Sequence, residues 1–439
     1  MGGNSVLGRV NRQDGPRVFA EGSVVVKRFV RLVTTWGGVA ALFLAVSTVR
    51  AEPVTAGRKT DEPRLALKPH DRIVYIGGTF AEQMGTFGYL ETIVTSRRPS
   101  AQLSFRNLGW SADTPTLQPR PLNFGDMHTH LTQQKADVIF LCFGMAESFA
   151  GQQGLPKFRG DLRKLIESLR AHTYNGKTPP RLVLVSPIAH ETLGPDLPDP
   201  TVHNQQLKAY TSSMRRIAGK QQVPFIDLYA PTLALMQDGS GEKLTFDGIH
   251  LTQYGYWVAA QLMAKSLGLL PPRKPIEIDA AGKGSGVRMS VVNKTLPLPP
   301  RPSGARVHRS ILQQTLRRVI VRNLKPGRYA LKIDGAAITG PIDAAAWAKG
   351  VAVPDSPAAQ QSAEKLRRAI VDKNQQFFYR HRAVNGEYIY GRRKKPFGVV
   401  NFPPEMKKLD RMVRERDGRI WKLAKPFSAQ TFELGSATR

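Results

Sequence analysis

From residue 71 onward the chain alternates short apolar runs with longer stretches in which apolar residues return every three or four positions. Arg72-Ile73-Val74-Tyr75-Ile76 runs into Gly77-Gly78 and predicts a strand stopped by a glycine turn. Gln102-Leu103-Ser104-Phe105-Arg106 alternates like a second strand. Residues 136–143 are continuously apolar apart from Asp137, the pattern of a strand buried on both faces. Leu182-Val183-Leu184-Val185 repeats that pattern before Ser186-Pro187, and Val223-Pro224-Phe225-Ile226-Asp227-Leu228 gives a fifth strand. Between the runs lie helical stretches. Residues 158–171 carry Leu162, Leu165, Ile166 and Leu169 on one face, and residues 203–220 and 254–267 are two more. Strands alternating with helices predict βαβ units, hence a three-layer α/β/α sandwich with a parallel sheet over residues 71–269. Reactive residues in such sheets gather at the carboxyl ends of the strands.

Beyond residue 269 the pattern changes. Pro271-Pro272-Arg273-Lys274-Pro275 and residues 296–302 are proline-rich and basic. Val319-Ile320-Val321-Arg322, Lys325-Pro326-Gly327 and Tyr329-Ala330-Leu331-Lys332-Ile333 predict a β-hairpin. Residues 356–382 predict a long helix, Asn385-Gly386 a turn, and residues 404–423 a second, charge-dense helix. Residues 270–439 are thus expected to be a basic α+β extension. Of the net charge of +30, residues 271–439 hold most, with 34 Lys and Arg against 13 Asp and Glu. Such a field suits an anionic partner. Phe377-Phe378-Tyr379-Arg380-His381-Arg382 and Tyr388-Ile389-Tyr390-Gly391-Arg392-Arg393-Lys394-Lys395 interleave aromatics with cations.

The N-terminal part decides which anion is expected. Lys27, Arg28 and Arg31 precede an uncharged stretch over residues 32–49, and Val49-Arg50-Ala51 offers small residues for signal cleavage. Residues 1–51 therefore read as a signal peptide with an N-terminal extension, residues 52–70 as a linker, and the product as periplasmic or extracellular. The alternative is an uncleaved membrane anchor. Export makes nucleic acid a poor partner and an anionic envelope polymer a better one. The single cysteine, Cys142, excludes an internal disulfide and sits in an apolar run, where it reads as a small buried hydrophobe.

One segment stands out for chemistry. In Phe246-Asp247-Gly248-Ile249-His250-Leu251-Thr252, an Asp three residues before a His on a tight turn can bond the imidazole Nδ1–H and leave Nε2 as a base. His128-Thr129-His130 beside Asp126 has metal-like spacing but no matching third ligand, and reads as a polar surface turn. No metal or cofactor is expected. Asn123-Phe124-Gly125-Asp126 and Arg120 are placed at the rim of the site.

Over about 200 residues the chain resembles the SGNH (GDSL-type) hydrolases, whose four sequence blocks it matches in order. They are Ile76-Gly77-Gly78-Thr79, Asn107-Leu108-Gly109-Trp110-Ser111-Ala112-Asp113, Gly144-Met145-Ala146-Glu147-Ser148, and Asp247 to His250. The resemblance implies a flavodoxin-like sheet and an ester hydrolase acting on O-acyl groups of a carbohydrate or related substrate. It casts Thr79 as nucleophile, His250 as base and Asp247 as its partner. The oxyanion hole would lie at Thr79, Ala112 and Ala146, with backbone amides at the first two, and Trp110 and Glu147 would contact substrate. Thr79 replaces the family's serine, Gly78 its aspartate, Ala112 a glycine and Ala146 an asparagine. The threonine keeps a hydroxyl behind a crowding methyl, whereas Ala146 removes a side-chain donor. A catalytically silent scaffold that binds glycan or envelope components is the rival expectation.

Overall fold

The computed structural model describes residues 63–120, 124–271, 273–283, 286–293, 295–382, 402–425 and 429–437. The expected signal segment, Asn123, the Asn385-Gly386 turn and the Tyr388 to Lys395 cluster lie outside the described residues.

Five strands form one parallel sheet: β1 (Arg72–Gly77), β2 (Ser104–Asn107), β3 (Val138–Cys142), β4 (Arg181–Val185) and β5 (Phe225–Ile226), ordered β2-β1-β3-β4-β5. Alternation along each strand sends neighbouring side chains to opposite faces. Ile73, Tyr75, Phe140, Val183 and Val185 enter one buried cluster, while Val74, Ile76, Ile139, Leu141, Leu182 and Leu184 enter another. The first cluster is closed by α1 (Thr79–Phe87), α2 (Tyr89–Arg97), α7 (Tyr229–Asp238) and α8 (Gln253–Ser266). On the other face lie α3 (Met127–Gln134), α5 (Gly151–Arg170) and α6 (Thr201–Lys220), with the one-turn helix α4 (Met145–Ser148) leading into α5. The three layers are the expected α/β/α sandwich. Leu65 and Leu67, placed in the linker by sequence, pack against the first cluster.

After α8 the chain builds a β-module around a core centred on the fully buried Trp347. Its strands are β6 (Ile276–Asp279), β7 (Gly286–Val291), β8 (Arg317–Arg322), β9 (Arg328–Ile333), β10 (Ala336–Ala337), β11 (Ile342–Asp343), β12 (Val351–Val353) and β13 (Gln430–Ser436), with short helices α9 (Arg309–Thr315) and α10 (Ala344–Lys349). The predicted hairpin does not form. β8 pairs with β6 and β12, whereas β9 joins β13, β10 and β11 in a separate sheet. Val319 and Val321 share one core with Tyr329, Leu331 and Ile333, so the turn at Lys325-Pro326-Gly327 carries the chain between sheets.

Two helices, α11 (Pro357–His381) and α12 (Phe402–Leu423), leave this module and pack beside β2. The fully buried Lys373 donates to Glu91 Oε2 and Phe105 O, both at 3.0 Å. Arg106 makes a two-bond pair with Asp417 at 2.5 and 3.2 Å, and Trp421 Nε1 donates to Leu103 O at 2.8 Å. Residues 270–439 are therefore not one separate appendage, because their helices complete the flank of the central sheet.

Candidate active site

Every block of the expected site lies where the topology predicts, beyond the carboxyl ends of the strands. Gly77 ends β1 at φ +143°, and a Cβ there would stand 2.2 Å from Cys142 O, so only glycine lets β1 run against β3. Gly78 precedes α1 and Thr79 is its first residue, which leaves the Thr79 N–H without an acceptor inside the helix. After β3, Gly144 takes φ +110° and starts α4, which carries Ala146 and Glu147. Loop 107–113 follows β2.

Thr79, Ala112, Ala146, Glu147 and His250 all wall one cleft of about 240 Å³. His250 is held from behind. Asp247 Oδ2 lies 2.6 Å from His250 Nδ1, and Asp247 Oδ1 accepts from His250 N at 2.8 Å and Ile249 N at 3.1 Å. Burial pushes the Asp247 carboxyl up, but the hydrogen bonds from the His250 ring and backbone outweigh it and hold the group below its ordinary value. The carboxylate fixes the tautomer that bares Nε2. The Thr79 hydroxyl and His250 share a cleft without a hydrogen bond between them.

The turn bearing this pair rests on residues the sequence reading did not single out. Thr245 bridges to Leu251, and Glu191 accepts from Thr245 N and Thr245 Oγ1, both at 2.7 Å. Gly248 sits at φ +98°, where a Cβ would stand 2.6 Å from His190 Nε2. His190 Nδ1 is 3.0 Å from His203 Nδ1, and His203 Nε2 is 2.8 Å from Ser148 Oγ. His190-Glu191 follows the end of β4 by a few residues, and that position was the available signal.

The remaining donors are unequal. Ala112 adopts φ +67°, a left-handed backbone its methyl disfavours, and its N–H makes no hydrogen bond among the described residues. Ala146 brings no side-chain donor. Glu147 Oε2 accepts from Gly144 N at 2.7 Å, but Oε1 is shielded from water with no partner. Burial raises the Glu147 carboxyl above its ordinary value.

Three sequence assignments need correction. Trp110 is not among the described residues lining the cleft. Its ring lies under the guanidinium carbons of Arg382 at 3.2 Å and Arg120 at 4.3 Å, with Phe124 edge-on at 5.5 Å. Those cations occupy the surface a sugar would need. Arg120 and Asp126 are not rim groups either. Arg120 pairs twice with the buried Asp113, and Asp126 caps α3 by accepting from Thr129 N at 2.8 Å. His128-Thr129-His130 consequently lies on that helix, with His130 buried, and is not a surface turn. Cys142 is buried and its thiol pushed upward by desolvation. Among the described residues no group of three or more His, Cys, Asp or Glu is arranged to hold a metal ion.

A hydroxyl beyond the first strand, backbone N–H groups beyond the second and third, and an Asp-x-x-His turn before the last helix of the sandwich stand around one cleft, in the order of the four sequence blocks. Residues 76–258 match the model of the GDSL-like lipase/acylhydrolase family. The solved structure of a gut microbial diltiazem-metabolizing enzyme is similar over 86% of this chain and 99% of its own, at 17% identity and a TM-score of 0.64. That likeness is one of fold, and it extends well beyond the family domain. An acetylxylan esterase from Geobacillus stearothermophilus is similar over 48% of this chain and 100% of its own, at 15% identity and a TM-score of 0.36. No curated protein matches the sequence.

Proposed function

We propose that the chain is an SGNH-type carboxylic-ester hydrolase, exported by a bacterial cell, that removes O-acyl groups from a carbohydrate or related substrate. The observation that carries this reading is the shared cleft, which puts Thr79, the Ala112 backbone, Glu147 and an Asp247-bound His250 around one space. Thr79 Oγ1 attacks the ester carbonyl carbon while His250 Nε2 takes its proton, and Asp247 stabilises the imidazolium. The negative oxygen of the tetrahedral intermediate rests on the N–H groups of Thr79 and Ala112, and Glu147 adds a third donor in its neutral form, toward which burial moves it. Collapse breaks the bond to the alcohol, which leaves with the proton from His250. Water then attacks the acyl-threonine by the same route, and the carboxylic acid departs.

The lining supports an acyl group beside a flat, larger partner. Phe80, Phe143, Ile188, Leu251 and Tyr256 give the cleft apolar walls. Phe149, 58% exposed, lines it as well, and Phe246, 66% exposed, stacks on His250 at 5.8 Å. Exposed rings beside a reactive imidazole suit stacking against a sugar.

The absent Thr79–His250 hydrogen bond favours the second reading, a silent scaffold that binds glycan or envelope components. Hydrolysis of 4-nitrophenyl acetate separates the two. The hydrolase reading expects turnover that falls at least about a hundredfold in Thr79→Ala and in His250→Ala. Turnover equal in all three proteins would leave only the scaffold.

A further inference from the structure

The helix α11 ends on loop 109–113, the loop that presents Ala112 to the cleft. Arg382, at its carboxyl end, donates from Nη2 to Glu82 Oε1 and to Gly109 O, both at 3.0 Å, and its guanidinium carbon lies 3.2 Å above the Trp110 ring centre. Glu82 Oε2 in turn accepts from Ser111 N at 2.7 Å and from Ser111 Oγ. Arg120 ties Asp113 with two bonds, at 2.8 and 2.5 Å, and lies over the same indole. Trp110 N donates to Gly77 O at 2.9 Å. Gly109, Trp110, Ser111 and Asp113 are each held, and between them stands Ala112 in a left-handed backbone.

That conformation matters because a non-glycine residue keeps it only when its surroundings over-determine it. Without such ties the loop would relax, and the Ala112 N–H would turn with it. Arg382 and Glu82 are only 14% and 17% exposed, so water weakens their pair less than it would a surface pair. The buried Lys373 anchors α11 against Glu91 and the Phe105 carbonyl, so the helix end reaches the loop from a fixed base.

We propose that Arg382, delivered by the C-terminal region, is a positioning residue that holds loop 109–113 with the Ala112 N–H set toward the cleft. This rests on Ala112 being an oxyanion donor, and it gives residues outside the family domain a part in the reaction. Lysine cannot substitute, because the site uses a planar group that stacks on an indole while reaching two acceptors.

The test uses the full chain with Arg382→Ala, Arg382→Lys and Glu82→Gln, each followed by amide hydrogen exchange and by hydrolysis of 4-nitrophenyl acetate. In Arg382→Ala, exchange across residues 109–113 should quicken by about tenfold or more while strand 138–142 stays protected. The kcat should fall about 10- to 100-fold with KM within about twofold, since a shift of roughly 1 Å in one donor costs that much. Arg382→Lys should not restore the rate, and Glu82→Gln should move both readouts in the same direction. Unchanged exchange in the loop overturns the proposal, and so does faster exchange with an unchanged kcat. A wild-type protein without Thr79-dependent turnover sinks the hydrolase reading instead, and loop exchange still decides whether Arg382 holds the loop.

Discussion

The two oxygens of Glu147 stand in different circumstances. Oε2 receives the Gly144 N–H, so it is an acceptor, and any proton on the carboxyl belongs on Oε1. Oε1 has no donor to satisfy a negative charge, and burying an unpaired carboxylate oxygen costs several kcal/mol. Burial accordingly moves the group toward its neutral form. A neutral Glu147 has a proton to donate beside Ala146, which has none. Its contribution is present below the raised pKa and is lost as pH rises through it. The kcat of the wild type should therefore decline above the ordinary carboxylate range, and Glu147→Gln should remove that decline while keeping most of the rate. Glu147→Ala should lose about 10²–10³ in kcat. A pH–rate series on the three proteins checks this, and a Gln variant as damaged as the Ala variant would contradict it. Residue types alone showed the hydroxyl, the Asp–His spacing and the missing asparagine. They could not show that one Glu147 oxygen is spent on a helix start and the other is spare.

Where α3 meets α11, two imidazoles face each other. His130 and His381 lie 4.9 Å apart, edge to face, among Phe124, Trp110 and Phe377, and no hydrogen bond of good geometry reaches their four ring nitrogens, the Phe124 backbone making only a weak approach to His130. The charged neighbours are mostly cations, Arg120, Arg380 and Arg382, with Asp126 a minor opposing charge on His130. Burial first, then the Arg380 charge, lowers His130 from 6.5 to about 4. Burial and the His130 ring hold His381 well below its ordinary value. Unfolded chain gains these protons below about 6.5 while the folded protein refuses them, so stability falls as pH drops from there toward about 4. The loss from His130 is up to about 3 kcal/mol, and His381 adds to it in the same direction. Urea unfolding at pH 7.5 and pH 5 should show it, with a flatter dependence in His381→Phe. An equal dependence in that variant would contradict the role. The sequence made α11 legible because Ser356 caps it, accepting from Ala359 N, and Pro357 opens it. It did not make the imidazole pair legible, because its members are far apart in the chain. The failed hairpin has a similar cause: β9 takes as partner β13, from the far end of the chain, and local turn signals cannot register a distant competitor.

At the scale of the molecule, the layered fold was readable because alternation within the strands of the parallel sheet feeds two cores, a local pattern with a global result. The role of the basic C-terminal region was not readable from charge. Part of that charge is spent inside the molecule: Lys373 on Glu91, Arg380 on Asp410, Arg382 on Glu82 and Arg367 on Glu364. The first three join the added helices to one another and to the sandwich, the fourth lies within α11, and none requires an external anion. Everything proposed for the cleft depends on Thr79 being its nucleophile. The most direct measurement is labelling of the full chain with a fluorophosphonate, which marks an activated hydroxyl covalently, followed by peptide mass spectrometry. The proposed mechanism predicts one adduct, on Thr79, lost in His250→Ala. An adduct on Ser111 or Ser148, or labelling of Thr79 that persists without His250, would contradict it.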